Sequence, residues 1–239
     1  MIVLRSDNEL NYLSLLDETV IESTEALLIA RSGSSILKNP SDPYYPSGNE
    51  FQDVVCHNSP SVLPPDRGVH HEIDLVPGTK YCFTRQWHLP KEQCDVIDGF
   101  FSAKHAAGMV RESKSPHSTP TFCVRKPNGK WCIVHAYNKL NAATIPAQTP
   151  IRSKDVLQNN MAGCSMYSSL DLVDGYYQLP MRSSNIPLTA VTTTNGMLSE
   201  WLVKPQGIPN AQPTFNFLVA QLSRPHRAYS QTYLITFCP

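Results

Sequence analysis

The stretch SSLDLVDGYYQ, residues 168–178, closes a β-like run on an acidic side chain and follows it with a glycine and two aromatics. Leu170 and Leu172 flank Asp171 as apolar neighbours, which suits a carboxylate presented at the end of a buried strand. Gly175 permits a sharp turn that brings Tyr176 back toward Asp171. Any chemistry in this chain is therefore expected to depend on Asp171, and the rest of the sequence is read for its partners.

Upstream, the pattern from Pro90 to Gly108 is helical. Pro90 suits the first turn, Val96, Ile97, Phe100, Phe101 and Lys104 recur at three-to-four spacing, and Gly108 can cap the end. TFCVRKPNGKWCIVHAYNKLN then reads as a β-hairpin turning at Pro127-Asn128-Gly129. Arg125, Lys126 and Lys130 make its tip basic, which suits a phosphate clamp, although a surface turn with solubilising charge is the commoner case. A short helix is expected over residues 149–163. Downstream, IPLTAVTTT and Leu198–Val203 read as strands, and Pro213–Arg224 as an amphipathic helix with Phe217, Leu218, Gln221 and Leu222 on neighbouring turns. This order predicts an α+β fold with a mostly antiparallel sheet.

The N-terminal quarter reads differently. Residues 1–32 carry an apolar-acidic pattern without visible chemistry, and residues 32–65 are rich in Pro, Ser, Gly and Asn, which predicts an extended or disordered linker. VHHEIDLVPGT follows as an exposed strand, with His70 and His71 on opposite faces and so ill placed to share a metal. The zero net charge hides a division: residues 1–79 hold 4 Lys+Arg against 12 Asp+Glu, and residues 80–239 hold 16 against 8. A basic C-terminal part is what a polyanion-binding surface needs. The seven cysteines include no close pair, which argues against zinc and for reduced thiols inside a cell. No run approaches the ~18 apolar residues of a membrane span, and no signal peptide is recognised, so an intracellular protein without membrane partners is expected.

From about Leu63 onward the chain resembles the reverse transcriptase of gypsy-like long-terminal-repeat retrotransposons. Three stretches carry the resemblance: KPNGKWCIVHAYNKLN is similar to the fingers motif, SSLDLVDGYYQ to the first palm motif, and WLVKPQGIPNAQPTF to the nucleotide-pocket motif. The resemblance implies the fingers and part of the palm of a right-hand polymerase over residues 63–239, with residues 1–62 as a poorly ordered N-terminal segment. It implies two Mg²⁺ ions bound by carboxylates, template-primer and deoxynucleotides as partners, and in-line attack on an α-phosphate. Asp171 matches the metal-binding catalytic carboxylate, and the backbone carbonyl of Leu172 a second metal contact. Asp174 and Gly175 match the turn facing the triphosphate, and Tyr176 the ring beneath the sugar. Gln206 and Gly207 match the pocket turn, and either Arg125 or Lys126 the basic residue over the phosphates.

The sequence also departs from that pattern. Cys132 stands where the family carries an arginine, Lys204 where it is apolar, Gln212-Pro213 where it reads Pro-Ala, and Pro180 follows the first palm motif. Tyr233 is followed by Leu, Ile, Thr and Phe where the family reads Tyr-x-Asp-Asp. Deleting one base from codons for Tyr-Phe-Asp-Asp, with one further base change, produces this run, so a frameshifted and truncated copy is expected. Such a chain is expected to be an inactive polymerase; a non-catalytic nucleic-acid-binding remnant and a translated relic without function are the alternatives.

Overall fold

The structure, a computed structural model, describes residues 36–50, 62–127, 129–147, 159 and 174–226. Residues 36–50 belong to one compact unit and the remainder to a second. In the first unit, helix α1 (Tyr45–Glu50) forms in a stretch whose composition predicts irregular chain. Pro46 lies in its first turn, where an N–H is not needed, and the Asp42 carboxylate accepts from the Tyr44 N–H at 2.9 Å to start it.

In the second unit, helix α2 (Lys91–Ala106) begins directly after Pro90, as its pattern predicts. It ends in a Schellman turn: Met109 N–H donates to the Lys104 carbonyl and Gly108 N–H to that of His105, both at 3.0 Å, with Gly108 at φ +71°. Ile97, Phe101 and Lys104 face inward. Strand β1 (Val110–Glu112) follows, then the predicted hairpin of β2 (Thr119–Arg125) and β3 (Trp131–His135). Its tip is closed by Gly129 N–H on the Lys126 carbonyl and Lys126 N–H on that of Lys130, with Gly129 left-handed.

Helix α3 (Asn138–Ala143), strands β4 (Val191–Thr192) and β5 (Leu198–Trp201), and helix α4 (Ala211–Leu222) complete the unit. The five strands form one sheet in the order β1-β5-β4-β2-β3, antiparallel except for the β2–β4 pair. The fold is thus α+β with a mostly antiparallel sheet, consistent with a fingers and palm fragment. Trp201, fully buried, is the hub of the core. Its ring stacks on Tyr177 at 5.4 Å and contacts Phe100, Phe101 and His135.

Several expectations change in detail. The segment at residues 69–75 alternates as predicted but is not an exposed strand. His71 and Ile73 are buried, and only isolated bridges form, His71 with Met181 and Leu75 with Thr144. His70 turns outward to Asp66 at 3.3 Å while His71 Nδ1 meets the Thr214 hydroxyl at 3.2 Å. The run IPLTAVTTT yields only the two-residue β4, because residues 183–189 wind into 3-10 turns containing Pro187. There the Thr189 hydroxyl donates to the Ile186 carbonyl and accepts from the Trp201 N–H, taking places a ladder would have used. Pro213 is the third residue of α4 and Pro180 forms a bridge with Val203, so neither proline breaks an element. On α4 the buried face is Phe215 and Leu218, whereas Phe217 and Leu222 are exposed. The helix expected at 149–163, apart from residue 159, lies outside the described residues, as do Asp171 and Leu172.

Candidate functional site

A cleft of about 250 Å³ opens where three parts of the second unit meet. Helix α2 sends Phe100 and Lys104 into it; the hairpin contributes Lys126, Trp131, Cys132, Ile133 and His135. The turn at 174–177 contributes Asp174 and Tyr177, and Gln206 comes from the loop after β5. The turn forms because Asp174 adopts a left-handed conformation, φ 52° and ψ 31°, and the 3-10 helix Gly175–Gln178 follows. The left-handed residue is therefore Asp174, and not the neighbouring Gly175 that the sequence suggests. An aspartate tolerates this region better than most side chains, which is why glycine is not needed there.

Tyr177 is buried against Trp201, and burial, then Asp174 and Cys132, push its phenol pKa upward. The Lys104 ammonium lies 4.2 Å from the centre of the Tyr177 ring, 5.8 Å from that of Phe100 and 3.9 Å from an Asp174 carboxylate oxygen. Burial lowers the Lys104 pKa while Asp174 raises it. His135 is fully enclosed, and burial holds it down to about 3, so the ring is neutral; its Nδ1 meets the Thr121 hydroxyl at 3.0 Å. Gly207, at φ +91°, passes so close to β3 that a Cβ would lie 3.3 Å from the His135 carbonyl oxygen. The close approach this glycine permits is to the protein's own strand, and the Asn141 side chain fastens it by donating to the Gly207 carbonyl at 2.9 Å.

Two ammonium groups against one carboxylate, with aromatic walls and one amide, suit an anion attached to an apolar body. The described residues do not suit a magnesium ion: no group of three His, Cys, Asp or Glu comes together among them, and the cleft's carboxylate already faces Lys104.

Residues 124–238 match the family model described as reverse transcriptase (RNA-dependent DNA polymerase). This stretch, just under half of the chain, is similar to a reverse transcriptase domain. The chain is 36% identical over 148 residues to the retrovirus-related Pol polyprotein from transposon 297 of Drosophila melanogaster, covering 60% of this chain and 14% of that protein. It is also 36% identical over 135 residues to the enzymatic polyprotein of soybean chlorotic mottle virus, covering 55% and 18%. The Tf2-3 transposon polyprotein of Schizosaccharomyces pombe is 27% identical over 188 residues, covering 78% of this chain and 14% of its own length. The chain thus spans less than a fifth of the length of these curated relatives. Reverse transcriptases generally work with Mg²⁺, nucleotides and a nucleic-acid template. No helix among the described residues is long and apolar enough to cross a membrane.

Of the site residues read from the sequence, Lys126, Asp174 and Gln206 line this cleft. Arg125 lies with its guanidinium 5.0 Å from the Trp131 ring centre and 3.6 Å from Glu92. Tyr176 is absent from the lining; its ring packs edge-on to Phe215 at 5.5 Å and lies 4.1 Å from the Lys204 ammonium. Gly207 abuts the cleft through its neighbour Gln206. Sequence reasoning missed Lys104 and Tyr177 as cleft residues. A charged residue at an apolar position of the α2 period was the available sign for the first; Tyr177 gave none that distinguishes it from a core aromatic.

Proposed function

We propose that the cleft binds a deoxynucleoside triphosphate, as the nucleotide pocket of a reverse transcriptase domain from a gypsy-like retrotransposon polyprotein. The observation that carries this is the convergence of Lys126, Asp174 and Gln206, which are distant in sequence, on one cleft. In this reading Lys126, or Arg125 beside it, takes a phosphate, and the backbone at Asp174 and Gly175 faces the triphosphate. Tyr176, braced by Phe215 and Lys204, underlies the sugar, and Gln206 with Gly207 borders the base side. Asp171 and the Leu172 carbonyl are the residues that would bind Mg²⁺. The reverse transcriptase part occupies residues 63–239 behind the segment 1–62, and the protein acts inside the cell.

This chain by itself does not extend a primer, because the run after Tyr233 lacks the paired aspartates of the family. The test joins equilibrium dialysis of a deoxynucleotide with a primer-extension assay on an RNA template in magnesium buffer. Nucleotide retention without extension is expected. Robust incorporation that Asp171→Ala abolishes overturns the inactivity, and no retention overturns the nucleotide pocket.

A second reading, non-catalytic nucleic-acid binding, is favoured by one surface. Along residues 81–87 the inward positions are tied to the body of the unit. The Cys82 carbonyl accepts from the Ser118 N–H at 3.0 Å, the Cys82 N–H donates to His117 Nδ1 at 3.2 Å, and the Gln86 amide holds both the N–H and carbonyl of Thr121. The outward positions are Tyr81, Phe83, Arg85 and Trp87, all exposed. A row of rings with one guanidinium is a surface on which unpaired bases stack. It predicts a salt-sensitive gel shift with single-stranded RNA that weakens in Trp87→Ala; no shift at low salt removes this reading.

A further inference from the structure

We propose that Lys104 is the cation that receives a phosphate inside the cleft, acting with Lys126 on a polyphosphate anion. The inference rests on the nucleotide reading above and adds a residue to it. Lys104 belongs to the last turn of α2, and with Ile97 and Phe101 it forms the buried face of that helix. A lysine at such a position normally extends its ammonium out to water. Here the side chain remains only 10% exposed, and its ammonium ends in the cleft.

Among the described residues, its contacts include no closed hydrogen bond. The rings of Tyr177 and Phe100 offer π faces, and the Asp174 carboxylate stands 3.9 Å away, about an ångström longer than the ~2.7–2.9 Å of a closed charge-assisted hydrogen bond. Among the described residues no acceptor lies within hydrogen-bond distance of the Lys104 Nζ, so its three N–H groups have no protein partner there. Asp174 is half-exposed whereas Lys104 is buried, so among the described residues Lys104 is the less satisfied charge of the pair. A buried ammonium in that state is stabilised by an incoming anion with several strong acceptor oxygens.

The surroundings select a phosphate chain over a single small ion. The cleft, of about 250 Å³, is larger than one phosphate group fills. Lys126 supplies a second cation, and His135 contributes no charge of its own because its ring is neutral. Burial lowers the Lys104 pKa, so an anionic partner at the ammonium offsets part of that desolvation.

The test measures binding of dATP and of inorganic tripolyphosphate, without metal, by calorimetry with the full chain, Lys104→Met and Lys104→Arg. Both ligands are expected to weaken about tenfold in Lys104→Met and to recover in Lys104→Arg. Unchanged dATP affinity in Lys104→Met overturns the role of Lys104 and leaves the nucleotide reading standing. Lysine-dependent tripolyphosphate binding with no tighter binding of dATP supports Lys104 while removing the nucleotide reading. Binding of neither ligand by the full chain removes both. Should Lys104→Met fail to fold, acetylation of the unmodified chain followed by peptide mass analysis decides the matter. Tripolyphosphate protects Lys104 if the inference holds, and equal labelling with and without the anion sinks it.

Discussion

Tyr176 and Tyr177 are consecutive in the chain, and each has a lysine ammonium over its ring, Lys204 at 4.1 Å and Lys104 at 4.2 Å. The two sites nevertheless keep their lysines in different states. At Tyr177 the lysine borders an open cleft and has a carboxylate within Coulomb reach, so the charge is retained where a ligand can use it. At Tyr176 the lysine is 1% exposed, burial acts on it with no opposing carboxylate among the described residues, and its pKa falls to about 7. His71, also buried and itself held down to about 4, lies close enough to feel that charge. The same ring contact cannot by itself keep an ammonium charged; access to water and one carboxylate decide it.

The comparison is broken most severely by Trp201→Ala. Trp201 backs Tyr177 and has no exposed surface, so its loss should cost roughly 3–5 kcal/mol, read from urea unfolding. The cleft should disappear with it, whereas the Tyr176–Phe215 contact, which belongs to a separate apolar cluster, should suffer less.

Lys204→Met probes the sealed site. The folded-state pKa of about 7 lies below the ordinary lysine value of 10.5, so between these limits the unfolded chain binds the extra proton and stability rises with pH. Below pH 7 the full desolvation cost is present. The substitution should stabilise the chain at neutral pH by on the order of a few kcal/mol and remove the rise in melting temperature from pH 7 to 10. A rise that persists in the variant would show that another group produces it.

Lys104→Met should have the smallest effect on unfolding, under about 1 kcal/mol at pH 7, because relief from burial offsets the lost ring and carboxylate contacts. A larger destabilisation would mean that Lys104 is chiefly a structural plug, and the contrast between the two lysines would narrow.

Much of this architecture is legible in the sequence, because local chemistry fixes it. Pro90 and Gly108 bracket α2, and the Pro127–Gly129 turn with alternating apolar neighbours specifies β2 and β3. Where the reading departs, a tertiary contact overrides a local preference. Thr189 is β-branched, yet its hydroxyl spends its hydrogen bonds on Ile186 and Trp201 and the chain winds instead of extending. His71 alternates as in an exposed strand, yet α4 brings Thr214 against it. Lys104 was visible as part of a helical stripe but not as a cleft residue, since its burial depends on Tyr177, which comes from more than 70 positions later. Lys126, Asp174 and Gln206 were legible as types, and only the fold brings them together.

The single parallel pairing in the sheet also bears on how the molecule is assembled. β2 and β4 touch through two residue pairs, Thr119 with Val191 and Pro120 with Thr192, across about 70 positions of chain. On either side lie hairpins of local contacts, β2–β3 and β4–β5, which close at little entropic cost. Contact order therefore predicts that the two hairpins order before they meet at this short seam. Because the cleft takes Lys126 from one hairpin and Gln206 from beyond the other, it exists only once the seam has formed. A chain caught before that step would possess both hairpins and no binding site.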